Sequence, residues 1–182
     1  MRAELRTAAL ALGLLLSLAA CDRSNPETPP ALGEVPLQTI YGYHTVETHM
    51  GQVRWELFGD RAERYAGEED LRLFGVRMLF YEDGSLSATL TSQRGKVDED
   101  THNMTAEGDV LIVSEDGRTL SSEILHWDNE RRIIHTELFF RATEDGQVLT
   151  GVGLETDPKM TDLVIKEQVE GELPAQDEGG GP

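Results

Sequence analysis

Gly75-Val76-Arg77-Met78-Leu79-Phe80-Tyr81-Glu82-Asp83-Gly84-Ser85-Leu86-Ser87-Ala88-Thr89-Leu90-Thr91 decides the fold. Val76, Met78 and Phe80 alternate with Arg77, Leu79 and Tyr81. Across the turn, Leu86, Ala88 and Leu90 alternate with Ser87, Thr89 and Thr91. A side-chain period of two marks strands with one apolar face. Asp-Gly between two such runs signals a hairpin, because both residues tolerate the positive φ that a tight turn demands.

The tripeptide Glu-Asp-Gly recurs at 82–84, 115–117 and 144–146, each time between two apolar runs. Gly51, in His49-Met50-Gly51-Gln52-Val53, stands 33 residues before Gly84, Gly84 stands 33 before Gly117, and Gly117 stands 29 before Gly146. Four hairpins of similar size are therefore expected. The third enters through Val110 and Ile112 and leaves through Leu120, Ser122 and Ile124. Leu125 and Trp127 then fall on the opposite parity, which implies a bulge near Glu123. The fourth enters through Leu138, Phe139 and Phe140 and leaves through Leu149, Val152 and Leu154, and a closing strand is expected over Leu163 to Val169. The best helical candidate, Asp60 to Ala66, reads equally as a bent strand. Many short antiparallel strands at regular spacing give an all-β sandwich, jelly roll or open barrel, and the repeats are too few for a long solenoid.

The chain has 182 residues, 38% hydrophobic and 27% charged, which suits one soluble domain with tails. The lone Cys21 leaves no intrachain disulfide and no multi-cysteine zinc site. With 34 acids against 16 bases the net charge is −18, a field that repels a phosphate backbone, so no nucleic acid partner is expected.

Residues 1–20 place Arg2 and Arg6 ahead of an uncharged apolar run, Thr7 to Ala20, too short to span roughly 30 Å of hydrocarbon. That pattern is a signal peptide. The run ends in Leu18-Ala19-Ala20-Cys21, which resembles the bacterial lipobox, whose cysteine receives a diacylglycerol before cleavage. Asp22 stands where an acidic residue resembles the inner-membrane retention signal of such lipoproteins. Residues 21–36, with Pro26, Pro29, Pro30 and Pro36, read as an extended lipidated tether, and residues 172–182 as a disordered acidic Gly/Pro tail. The β domain is expected over residues 37–171.

Several stretches in order resemble the periplasmic lipopolysaccharide-export protein C (LptC-like) family. They are Gly51 to Leu57, Ala62 and Tyr65, Leu71 to Tyr81, Gly84, Leu90-Thr91-Ser92 and Gly95. The series continues through Ala106-Glu107-Gly108-Asp109-Val110, Asp116-Gly117, Leu120, Leu125-His126-Trp127-Asp128, His135-Thr136 and Gly151 to Asp157. The family-motif glycines are Gly75, Gly108, Gly151 and Gly153. Two features depart from the family: a lipobox where members usually carry an uncleaved membrane helix, and the acidic tail.

The resemblance implies an open jelly roll tethered to the periplasmic face of the inner membrane. Such a protein is not an enzyme and has no cofactor. It receives lipopolysaccharide from an inner-membrane ABC transporter and passes it to a periplasmic jelly-roll bridge protein by edge-strand addition. The candidate edges are Leu37 to Thr48 and Leu163 to Val169. The overall charge argues against a basic patch for the lipid phosphates, so contact is expected through the acyl chains. At about 25 cal/mol per Å² of apolar area, a few hundred Å² of contact amounts to several kcal/mol. Val76, Met78, Phe80, Leu86, Leu90, Val110, Ile112, Leu120, Ile124, Leu138 and Phe140 are the expected inward-facing groove candidates. The bland alternative is that they only pack a core, in an envelope lipoprotein that scaffolds proteins without carrying lipid.

Other chemistry finds little support. His44, His49, His102, His126 and His135 show no metal spacing, and Asp98-Glu99-Asp100 with Asn103 lacks the glycine and terminal glutamate of a calcium loop. An enzyme would need perturbed acids such as Glu68, Glu69 and Asp70 in a concave site. Gly151-Val152-Gly153 lacks the third glycine of a dinucleotide fingerprint, and Trp55 and Trp127 read as core or groove-rim aromatics. Replacing Cys21 by Ala is expected to leave the chain unprocessed and without its acyl anchor. Cell fractionation that recovers processed, stably membrane-bound Cys21→Ala protein would defeat the lipoprotein reading.

Overall fold

The computed structural model describes the backbone of residues 35–172 and the side chains of residues 35–166. The expected signal peptide, Cys21, Asp22, nearly all of the tether and the tail beyond Glu172 lie outside the described residues.

Nine strands form one antiparallel sheet in strict sequence order: β1 (Gln38–His49), β2 (Gln52–Arg64), β3 (Asp70–Glu82), β4 (Ser85–Asp98), β5 (Met104–Ser114), β6 (Thr119–Asp128), β7 (Ile133–Glu144), β8 (Gln147–Thr156) and β9 (Leu163–Glu172). The four expected hairpin turns all form, at one end of the sheet. Four longer connections join the hairpins at the other end, so every strand pairs with its neighbours in sequence. Asp60 to Arg64 is strand, which settles the helical candidate as the bent-strand alternative. Two of the Asp-Gly turns carry positive φ at both residues, Asp83 and Gly84 at 51° and 79°, Asp145 and Gly146 at 48° and 78°. At 115–117 only Gly117 does, at 90°. There the Ser114 hydroxyl accepts from the Arg118 N–H at 3.0 Å and donates to Asp116, holding the Asp116 carboxyl below its usual range.

Pairing breaks at one level across the whole sheet. Gly42 is skipped between Tyr41↔Arg61 and Tyr43↔Gly59, and Asp60 and Gly75 between Gly59↔Val76 and Arg61↔Phe74. The register then slips between Thr91 and Arg94, Glu107 and Val110, Ser122 and His126, Thr136 and Phe139, and at Gly151/Val152. The bulge expected near Glu123 is one member of this row. A one-residue slip swaps the faces of all later side chains, so buried positions change parity across the line. Leu71 and Leu73 give way to Val76, Met78 and Phe80; Ala88 and Leu90 to Val97; Leu120 to Leu125 and Trp127. The apolar set therefore stays inward on both sides of a crease that folds the sheet into two facing half-sheets.

The halves meet through side chains of non-neighbouring strands. The Phe80 ring on β3 lies 4.9 Å from the Trp127 ring on β6, and Lys159, after β8, pairs with Glu82 at the end of β3. The core between them contains Leu57, Leu73, Met78, Leu90, Ile112, Leu120, Leu125, Ile134, Phe140 and Leu154, all fully buried.

Three crease glycines lie beneath a neighbour's side chain: Asp60 over Gly75, Gln93 over Gly108 and Lys166 over Gly153. At Gly75, with φ of 64°, an added Cβ would both strain the backbone and collide with Asp60. Gly84, with φ of 79°, has open space in the same direction. Left-handed backbone costs a side-chain-bearing residue roughly 1–2 kcal/mol. Gly84→Ala is expected to lose about that much in urea unfolding, and Gly75→Ala more, with a lower midpoint. Equal losses would remove the crease from its place in the stability argument.

Candidate functional site

The interior between the half-sheets is built from the alternation described above, and it gathers most of the expected groove residues. Val76, Met78, Phe80, Leu90, Val110, Ile112, Leu120 and Phe140 are buried. Leu86 and Ile124 are only half-buried, because Ser87 and Leu125 take the inward positions beside them. Leu138 is a correction: it is 41% exposed, with its neighbour Phe139 60% exposed. The cause is the β7 bulge, where Glu137 and Leu138 face the single Gly153 on β8 and the inward phase resumes at Phe140. Gly151 is buried opposite Phe140 in the β7–β8 register.

Access to this interior follows from the open strand order. Among the described residues the edge strands β1 and β9 end the sheet, and no ladder closes one onto the other. Partly buried apolar side chains pack against the core on and beside these edges: Ile40 and Tyr43 on β1, Ile165 on β9, and Ala142 and Leu149 on the strands before it. Burial, with the Glu99 charge adding to it, pushes the Tyr43 hydroxyl pKa up. Two of the depressions at the margins of the roll are similar in size. One, of about 280 Å³, is lined by Ala142, Val148, Leu149, Met160 and Leu163 with Arg118 and Glu144 at its rim. The other, of about 290 Å³, has Trp55, Phe80 and Trp127 in its lining.

The end that carries the second depression is held by Asn129, a residue that no sequence pattern singled out. Its Oδ1 accepts the Trp55 indole N–H at 3.0 Å, and its Nδ2 donates to Glu47 at 3.1 Å and to the Thr101 carbonyl at 3.3 Å. Its backbone N–H donates to Asn103 Oδ1 at 2.9 Å. One side chain just past β6 thus ties together β1, β2 and the β4–β5 turn. The only cue in the sequence is its place after Trp127-Asp128, where a turn would fall.

The titratable groups are tied into the surface in ways that leave no acid–base centre among the described residues. Glu68 is held by Arg72, which lowers its pKa. Asp98 spends a carboxylate oxygen on the backbone N–H groups of Asp100 and Thr101, which lowers its pKa and makes the acidic stretch a turn. Glu56 accepts from the Tyr81 hydroxyl at 2.8 Å and pairs with His44 at 2.9 Å, and both hold it ionised. His126 stacks on His135 at 5.1 Å between ring centres; burial first and the His135 charge second push its pKa down. Among the described residues no group of three or more His, Cys, Asp or Glu could hold a metal, and no helix is long and apolar enough to cross a membrane.

Asn129→Ala would leave the buried Trp55 N–H without its acceptor. An orphaned buried donor costs about 1–3 kcal/mol, so a drop of that size in chemical denaturation is expected, with a change in tryptophan emission. Unchanged stability would show that this end is held elsewhere.

No curated protein matches the chain. The model of the family described as lipopolysaccharide-assembly, LptC-related, matches residues 6–173, which takes in all nine strands and the whole N-terminal apolar run, Thr7 to Ala20. That family is a non-enzymatic transport component at the periplasmic side of the cell envelope, so membership implies a role in lipopolysaccharide transport, with binding of the lipid and of the other export components. A continuous match over residues 6–173, spanning nine creased strands, makes this protein a member of the LptC-related family.

Proposed function

We propose that the protein is a membrane-anchored lipopolysaccharide carrier, taking lipid from an inner-membrane ABC transporter and handing it to a periplasmic jelly-roll bridge protein. The observation that carries the reading is the unclosed roll: among the described residues β1 and β9 are both unpaired on their outer sides, and half-buried apolar side chains lie on and beside them. The fully buried residues hold the two halves together, whereas Ile40, Tyr43, Ala142, Leu149 and Ile165 can exchange protein contact for acyl chains without creating a cavity. Each few hundred Å² of such contact contributes several kcal/mol at about 25 cal/mol per Å². The same unpaired edges supply backbone donors and acceptors for strand addition to the jelly rolls on either side in the export path. Anchoring is assigned to acylated Cys21, with Asp22 as the retention signal and residues up to Pro36 as the reach between membrane and roll.

A photo-crosslinking amino acid placed at Tyr43 and at Leu149 in cells is expected to yield lipopolysaccharide adducts that depend on ATP, while one at Glu115, at a turn tip, yields none. If a folded and correctly located chain gave only protein adducts at the two apolar sites, the scaffold reading would replace lipid carriage.

A further inference from the structure

The depression of about 290 Å³ at the Asn129 end of the roll has a lining unlike that of the rest of the surface. In a chain of net charge −18, four cations surround it: Arg54, Arg131, Arg132 and Lys159. Its two acids are already engaged. Glu82 is paired with Lys159, and Asp157 accepts from the Thr161 hydroxyl and from the backbone N–H groups of Thr161 and Asp162. Arg131 is paired with Glu155 at 2.8 Å. Arg54 and Arg132 have no carboxylate partner and no hydrogen-bond acceptor among the described residues, although both line a pocket on an acidic protein.

Two backbone irregularities put those cations there. Arg54 is the extra residue of the β1–β2 bulge, unpaired between Glu47↔Trp55 and Thr48↔Val53. A bulge re-aims the side chain it inserts. Arg132 has φ of 58°, a conformation that disfavours residues bearing a Cβ and that persists where the surroundings impose it, commonly at ligand sites. A third observation is independent of charge. Trp127 is only 5% exposed, and its buried indole N–H has no partner. The indole can only donate, so what satisfies it must bring an acceptor. Buried donors without partners are rare enough to require an explanation.

We propose that this pocket is a phosphate site, and that its ligand is a phosphomonoester on the sugar head of the transported lipid. Two arginines and an indole donor suit an anion rich in acceptor oxygens, since guanidinium groups bond phosphate in charge-assisted pairs. The volume, at the small end of the roughly 300–1,000 Å³ usual for ligand pockets, admits a phosphorylated sugar and excludes a bundle of acyl chains. The assignment rests on the lipid-carrier reading and adds to it a fixed point for the head group, so the lipid is held in one orientation.

Trp55 and Trp127 are the only two tryptophans of the chain and both line the pocket, so intrinsic emission reports on it directly. The full-length chain in detergent micelles would be titrated with diphosphorylated lipid A, with the same lipid stripped of its phosphates, and with inorganic phosphate alone. Wild-type protein is expected to bind the phosphorylated lipid at least about tenfold more tightly than the stripped one, with a change in emission. That preference should fall as salt is raised, because exposed charge interactions are screened. The Arg54→Gln/Arg132→Gln variant is expected to bind both lipids alike, at the affinity wild type shows for the stripped lipid. Equal wild-type affinity for the two lipids would overturn the phosphate site and leave lipid carriage standing, while failure to bind either lipid would overturn carriage itself. An emission change driven equally well by inorganic phosphate would overturn the lipid head as the source.

Discussion

The crease is the constraint on which the rest of the molecule depends. A nine-strand meander has long strands, two exposed edges and one apolar face, and left extended it would leave that face in water. Bending every strand at one level brings the two halves of the same apolar face together. The bend is possible only if all strands yield at matching positions, which is why the breaks at Gly42, Asp60/Gly75, Gln93, Gly108/Asp109, Glu123, Glu137/Leu138 and Gly153 form a continuous row. Polar contacts along the row mark the outside of the bend: Gln93 donates to Asp109 at 2.5 Å across β4–β5, and Lys166 pairs with Glu137 at 2.5 Å.

The strands and most of the core were legible because a period of two needs only local sequence. Val76, Met78 and Phe80 announce their face without reference to any other strand. The crease was legible once, at Glu123, where Leu125 and Trp127 fall out of phase with Leu120 within a few residues. At β7 the same reasoning failed for Leu138, since Leu138, Phe139 and Phe140 are all apolar and a run of three carries no phase. Only the partner strand decides between them, and there Gly153 alone opposes the bulge. Asn129 was illegible for a related reason: its bonds reach residues 26 to 82 positions away, and a lone asparagine in a turn has no pattern.

Net charge misleads in a similar way. A sum of −18 argues against any phosphate contact when the charges are spread evenly, but the energy of a site depends on what lies within several ångströms of it. Most described cations are absorbed by nearby acids, as Arg61 is by Glu63 on the same strand and Arg118 by Asp116 in its own turn and by Glu144 at the end of β7. Two that are not, Arg54 and Arg132, come from distant parts of the chain and meet only because the crease brings the start of β2 opposite the end of β6.

Those same facing halves set how a carrier of this kind can work. Ile112, Phe140, Leu120 and Leu154 are sealed from solvent, so a lipid that displaced them would have to part the half-sheets and forfeit the packing that holds the crease shut. A lipid lying along the unpaired edges meets Tyr43, Leu149 and Ile165, which are already partly wet and so lose little when their neighbours change. Under the proposed carrier function, transfer between jelly rolls would need no opening of the core. In the carrier proposed above, lipid would move along an edge that is also the surface offered to the next roll's strand, so lipid passage and partner docking would share one strip of backbone.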